Sequence, residues 1–246
     1  MRQGLVLGGV GVLVFAAVAI ATLPASLLLA HLPPELAAEG ASGTVWSGAA
    51  ETLTLRGVAL GQLRWDAEPA ALLHGRLAYR IELTRPDGQL RGRFAAGLGA
   101  TLRAEGVELR LPLTTLTPGF AGNGWRGEVA GTIDSARLER GWPVELSAHL
   151  TLSRLQPPGA SREIGSYALD FDPGASTPAQ LRGRVRDLEA PLTVRAQLLI
   201  RRDRSYTLDG EVTPRAGTPP EVSTAIAFLG SPDAAGRRTF AFGGSF

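Results

Sequence analysis

Leu77-Ala78-Tyr79-Arg80-Ile81-Glu82-Leu83-Thr84-Arg85-Pro86-Asp87-Gly88-Gln89-Leu90-Arg91-Gly92-Arg93-Phe94 is the run on which the fold turns. Leu77, Tyr79, Ile81 and Leu83 alternate with Ala78, Arg80, Glu82 and Thr84. Successive side chains point to opposite faces of a strand, so this pattern keeps one face dry and wets the other. Arg85-Pro86-Asp87-Gly88 then supplies turn chemistry, and alternation resumes, so residues 76–96 read as a hairpin.

The same period runs outward along the chain. Val144, Leu146, Ala148, Leu150 and Leu152 alternate with Glu145, Ser147, His149, Thr151 and Ser153; Tyr206, Leu208, Gly210 and Val212 alternate with Thr207, Asp209 and Glu211. One buried and one solvated face is the mark of antiparallel sheet. An apolar-x-Gly-x-apolar pattern recurs at Leu90-Gly92-Phe94, Trp125-Gly127-Val129, Leu181-Gly183-Val185 and Leu208-Gly210-Val212. Two similar halves, 40–155 and 162–246, would explain the repeat, and chance similarity between amphipathic strands explains it too. Glycine on an inward face implies close approach, a bulge or a bend. Trp46, Trp65, Trp125 and Trp142 stand in strand-like segments and are expected to be mostly buried. Residues 239–246 read as a terminal strand, and with 44–46 as a candidate sheet edge.

Helix signals are few. Thr218 as N-cap, Pro219 at the first helical position and Glu221 completing a capping box predict a helix over 218–229. Val222, Ala225, Ile226 and Leu229 form its apolar stripe, and Gly230 ends it. Single turns are expected at Pro69 to His74, before Gly75, and near Pro112 to Leu116. The fold class is therefore mainly β, an antiparallel sheet domain with one or two short helices.

Before that domain stands one N-terminal transmembrane helix. Gly4 to Ala30 is 27 residues without a charge, and a bilayer core takes about 20 as a helix. The apolar side chains are Leu5, Val6, Leu7, Val10, Val12, Leu13, Val14, Phe15, Val18, Ile20 and Leu23. Arg2 lies on one side; on the other, Glu35, Glu39 and Glu51 precede the first arginine, Arg56. Positive charge stays in the cytoplasm, which puts the N-terminus inside and the domain outside it. A cleaved signal peptide competes, since Ala17-Val18-Ala19 and Ala19-Ile20-Ala21 have the small-x-small form. The nine further uncharged residues after Ala21 favour an anchor over residues 1–32, kinked or ended at Pro24 or Pro33-Pro34, with a domain outside the cytoplasm over 40–246.

Composition closes off chemistry. All 25 basic residues are arginine, so no Schiff-base or P-loop lysine exists. No cysteine means no thiol nucleophile, thiolate metal site or disulfide. His31, His74 and His149 are too scattered for a ligand set. With a net charge of +2 and arginines interleaved with acids, no face suits nucleic acid. No catalytic, cofactor-binding or metal-ligating residue is expected, and the chain reads as a non-enzyme.

Several segments together resemble the protein N family of the bacterial type II secretion system. They are Ala21-Thr22-Leu23-Pro24-Ala25, Ser42-Gly43-Thr44-Val45-Trp46-Ser47-Gly48, Leu63-Arg64-Trp65, Gly165-Ser166-Tyr167, and the run from Pro219-Pro220-Glu221 through Leu229-Gly230 and Asp233 to Gly236. Trp46, Trp65, Tyr167, Pro220 and Leu229 are the matching core positions. The resemblance implies an inner-membrane accessory component without cofactor, whose partners are other secretion subunits of the inner membrane and periplasm. Two functions stand open: an assembly or scaffold subunit acting through protein contacts, and a membrane-tethered β-groove protein that binds or transfers lipid. An open apolar trough would suit the second, a closed core with free edges the first.

Overall fold

The structure, a computed structural model, describes residues 18–30, 32, 34–97, 99–116, 124–159, 162–218 and 220–245. Leu5, Val6, Leu7, Val10, Val12, Leu13, Val14 and Phe15 of the expected anchor lie outside them. Among the described residues no helix is long and apolar enough to cross a membrane. Residues 18–21 are helical and the helix ends before Pro24, where the ring removes a donor.

The chain forms two compact units, Met1–Pro86 and Asp87–Phe246. The first holds α1 (Ala25–Leu29), β1 (Leu36–Glu39), β2 (Ser42–Gly43), β3 (Ser47–Leu55), β4 (Val58–Ala67), a 3₁₀ turn η1 (Pro69–His74) and β5 (Leu77–Arg85). β1 pairs with residues 52–55 of β3 and β2 with 48–49, so together they make one edge strand broken at Gly40. Gly40 has φ +67°, a left-handed value that a side chain would strain. β3, β4 and β5 follow as an antiparallel ladder. Arg56-Gly57, with φ 49° and 81°, makes the β3–β4 turn, and positive φ at both central residues matches the twist of a hairpin. Ala25, Ala50 and Trp65 form the core, with Leu28, Leu29, Leu63 and Tyr79 packed around them.

The second unit is a nine-stranded antiparallel meander. Its strands are β6 (Gly88–Gly97), β7 (Thr101–Pro112), β8 (Arg126–Glu139), β9 (Trp142–Gln156), β10 (Ser166–Phe171), β11 (Gln180–Glu189), β12 (Leu192–Arg201), β13 (Ser205–Pro214) and β14 (Arg238–Ser245). Each pairs with the next in chain order. Residues 157–165 therefore join two paired strands inside this unit. The strands expected on both sides of Pro86-Asp87 are present, and the division between the units falls in that turn.

Register explains why alternation was so clear. Val107, Ile133, Ala148, Phe171, Gly183, Leu198, Leu208 and Phe242 are successive cross-strand partners from β7 to β14. A second row runs Leu109, Gly131, Leu150, Leu169, Val185, Ala196, Gly210, Phe240. One face is thus apolar across the meander. The other carries cross-strand ion pairs such as Arg91–Glu108, Arg93–Glu105 and Arg137–Glu145. The inward glycines mark close approach within the sheet: a Cβ on Gly92 would lie 2.6 Å from Val107 Cγ2, and one on Gly210 2.5 Å from Ala196 Cβ.

Two short helices lie on that apolar face. In α2 (Leu113–Leu116), Leu113 packs with Leu109 and Val129. In α3 (Pro220–Ala227), Ile226 and Val222 pack with Leu192, Val194, Val212 and Phe240, joined by Leu229. Gly230, at φ +96°, follows the expected stop. The start differs from the capping box. Thr218 donates its hydroxyl to Pro191 O (2.6 Å) and accepts the Arg215 N–H (2.9 Å). A neighbouring loop takes the hydroxyl expected to cap the helix. Pro219 and the side chains of Glu221 and Ala225 lie outside the described residues.

Candidate functional site

Ser42 to Gly48 forms a tight turn whose residue types follow from its geometry. Gly43 has φ +87°, and a Cβ there would sit 2.5 Å from Ser47 O. Thr44 donates its N–H to Ser47 O (2.9 Å), and its Oγ1 accepts the N–H groups of Trp46 and Ser47 (3.2 Å each). Ser47 donates its hydroxyl to Asp66 Oδ1 (2.7 Å). Residues 44–46 are thus turn and isolated bridge, not the edge strand expected, because the threonine hydroxyl offers the backbone a local alternative to the ladder.

Gly48 stands opposite Trp65 in the register. The indole occupies the space a Cβ would need, 2.4 Å from Cζ2. Trp65 is 2% exposed and donates Nε1–H to Thr44 O (3.1 Å). The turn is thereby locked from below.

From above, the turn holds the end of the N-terminal helical segment. Trp46 Nε1–H donates to Ile20 O (2.8 Å), Val45 N–H donates to Leu23 O (2.9 Å), and Thr44 bridges Pro24. A helix leaves its last carbonyls open to outside partners, and Ile20 O, which also accepts the Leu23 N–H (3.4 Å), takes one from the Trp46 indole. Beyond Pro24, Ala25 of α1 is buried against Ala50 and Trp65. The described end of the apolar segment is therefore joined to the first sheet by hydrogen bonds at the 44–46 turn.

A second feature lies at the far end of the meander. Among the described residues β14 pairs with β13 and with no other strand. Phe240 and Phe242 stand on it with ring centroids 5.4 Å apart, and Phe242 is 54% exposed. An edge strand with unpaired backbone groups is a template for another strand.

The other residues singled out have structural roles. Trp142 opens β9 and donates Nε1–H to Pro178 O (3.1 Å). Trp46, Trp125 and Trp142 are half-buried, and Trp125 precedes β8 instead of lying within it. Tyr167 is buried on β10 and donates its hydroxyl to Ile164 O (2.9 Å). Burial, with Asp187 nearby, pushes its phenol up to about 12. Pro220 is the exposed first residue of α3. Val18 and Ile20 are exposed on the helical turn.

His149 on β9 is exposed, and Nδ1 lies 2.9 Å from Asp170 Oδ1 on β10. That bond, with Asp134 and Asp172 nearby, raises its pKa above the ordinary value and lowers that of Asp170. Among the described residues no group of three His, Cys, Asp or Glu could hold a metal ion.

Sequence reasoning missed the Asp187–Arg215 ion pair. Asp187 is almost buried and also accepts the Val194 N–H (2.7 Å), while Arg215 reaches Thr193 Oγ1 (3.0 Å) and Ala190 O (3.2 Å). The partners are 28 positions apart and meet only through the β11–β13 register, so no local pattern announced them.

Residues 34–241 match the family described as type II secretion system (T2SS), protein N. The type II secretion system protein N of Vibrio cholerae serotype O1 is 29% identical, covering 89% of each chain. That of Aeromonas hydrophila is 24% identical over 96% of each chain, and that of Klebsiella pneumoniae 28% identical over 87% of this chain and 85% of its own. No solved structure matches. With the family's pattern running through the clamped turn, both sheets and β14, the chain belongs to the protein N family of the type II secretion system.

Proposed function

We propose that the protein is a non-enzymatic accessory or assembly component of the type II secretion system, acting through protein–protein contacts. In this reading residues 1–32 are an uncleaved single-pass inner-membrane anchor with its N-terminus in the cytoplasm, and residues 40–246 face the periplasm. The family match over 34–241 carries the proposal. The free edge of β14, with its two phenylalanines, supports docking by strand addition to another secretion subunit. Sharing a bilayer raises the effective concentration of such partners, so modest affinities suffice.

The test is a detergent pull-down with the anchor intact against one in which residues 1–32 are replaced by a cleavable signal peptide. The intact form should recover secretion subunits and the anchorless form fewer. Recovery of none by either form overturns the proposal. Mass spectrometry of the purified protein checks the anchor, and a mature N-terminus near Thr22 would refute it.

A second reading, lipid binding, is favoured by one observation. The apolar face of the meander carries half-buried Leu146, Leu150, Leu169, Leu198 and Ile200, and among the described residues no second sheet packs on it. Lipid that co-purifies with the intact protein in fixed stoichiometry, with no secretion subunit recovered, would select this reading.

A further inference from the structure

We infer that the η1 turn is a second membrane contact, its Leu72 and Leu73 entering the lipid surface beside the anchor. The inference rests on the reading of residues 5–23 as that anchor, and it adds a site which neither the family match nor the anchor supplies.

The observation is an apolar segment that is folded yet buries nothing. Residues 69–74 read Pro-Ala-Ala-Leu-Leu-His, and none of their side chains is buried. Leu73 is 87% exposed and Leu72 46%. The turn's backbone is nevertheless fully shaped. Ala71 N–H donates to Glu68 O (3.0 Å), Gly75 N–H to Leu72 O (3.0 Å) and Arg76 N–H to Ala71 O (3.1 Å), with Gly75 left-handed at φ 66°. Ordering a turn to hold two leucines in water gains nothing by apolar burial; an apolar medium outside the protein would supply it.

Hydrogen bonds show where the turn stands. Trp46 binds Ile20 O through its indole (2.8 Å), and its own carbonyl accepts the Ala67 N–H (2.6 Å). Ala67 ends β4, and η1 begins two residues later; Glu68 N–H then pairs with Ala78 O (2.8 Å) as the chain returns in β5. The turn therefore leaves the first unit at the end that grips the N-terminal segment. Ile20 lies three residues before the apolar stretch closes at Leu23, the depth of a membrane boundary, where an indole is well placed. Leu27 of α1 is also exposed, just past Pro24. His74 and Arg76 are exposed beside the leucines, positioned to meet lipid headgroups while the leucines enter the acyl region. Two attachments, helix and turn, would fix the tilt of the first unit on the membrane.

The chain has no cysteine, so single-cysteine labelling is unambiguous. Leu73→Cys, Arg56→Cys and Val12→Cys variants of the full chain, each carrying an environment-sensitive fluorophore, are reconstituted in vesicles doped with a lipid-borne quencher. Arg56 is exposed at the opposite end of β3 and serves as the solvent reference. The expected result is a blue-shifted emission and loss of fluorescence at 73, as at 12, with the probe at 56 unaffected. Quenching at 12 but not at 73 overturns the inference and leaves the anchor standing. Quenching at neither removes both. A blue shift at 73 without quenching also overturns it, because it means that protein, and not lipid, covers the turn. Circular dichroism matching the parent protein shows that each variant is folded.

Discussion

At the scale of single residues, the Ser42–Gly48 turn is explained by two glycines and two indoles. Gly43 permits a left-handed turn, and Gly48 makes room for Trp65 to lie across β3. Trp65 and Trp46 then direct their N–H groups at Thr44 O and Ile20 O, so the buried ring of Trp65 and the half-buried ring of Trp46 both keep a partner for their donor. The glycine is as necessary as the indole. Gly48→Ala forces Trp65 from its place and should cost about 1–3 kcal/mol, the usual range for overpacking. Trp65→Ala opens a cavity and should cost about 3–5 kcal/mol. Because they share one contact, their combination should cost less than the sum of the two. Urea unfolding of the four proteins measures this; additive costs would mean that Gly48 is kept for another reason. In the sequence, residues 44–46 read as a strand at a sheet edge, since nothing in it says that Thr44 Oγ1 will capture two backbone amides.

At the scale of elements, alternation predicted the strands well and their ends poorly. β9 and β13 form where Val144–Leu152 and Tyr206–Val212 alternate, because period-two patterning and register describe the same thing. Hairpins of the Arg-Gly type, at 56–57 and 140–141, were not anticipated, because arginine is not a usual partner for φ of 49° and 52°. The α3 helix shows the other limit: its stripe and terminal Gly230 were legible, whereas Thr218 is drawn to Pro191, a residue 27 positions away. Pairing between elements also sets the pH response of the polar face. His149 on β9 and Asp170 on β10 are register partners. The raised pKa of His149 means that its contribution to stability is complete below the unfolded value and is lost as pH rises through the folded one. The lowered pKa of Asp170 means that its contribution is present above the ordinary carboxylate range and lost as pH falls through the folded value. Both act together only between those two folded values. An NMR titration should place the His149 midpoint above 6.5, and Asp170→Asn should bring it down. A midpoint unchanged by that substitution would show that the hydrogen bond does not set it.

At the scale of the whole molecule, the meander is built from neighbours in sequence, so its stability should fall from the middle toward the free edge. β7, β8 and β9 share two core clusters around Ala104, Val107, Ala136, Leu109 and Val129. β14 is exposed along most of its length and has a partner on one side only. Native-state hydrogen exchange should find the highest protection in β8 and β9 and the lowest strand protection in β14. Uniform protection across all nine strands would mean that the unit opens all at once, and that β14 is less available for docking than proposed. The edge of β14 and the half-buried leucines of the apolar face are also where contact partners are expected, because there, among the described residues, the fold leaves backbone or apolar groups partly unsatisfied.

Amino-acid order by itself determined the β class, the alternating faces, the short helices and the exclusion of lysine- and cysteine-based chemistry. These depend on residue type and on spacings of two to four positions, which a single chain displays directly. Tertiary structure alone decided that the strands of the second unit pair in chain order, with β14 last in that order among the described residues. It also decided that Trp46 clasps the helix end and that Asp187 meets Arg215. Alternation reports that a face avoids water, never what covers it. The contact of Asp187 with Arg215, 28 positions away, arises from register summed over β11, β12 and β13, and that of Trp46 with Ile20, 26 positions away, from a turn folding back on a helix end; no local pattern encodes either.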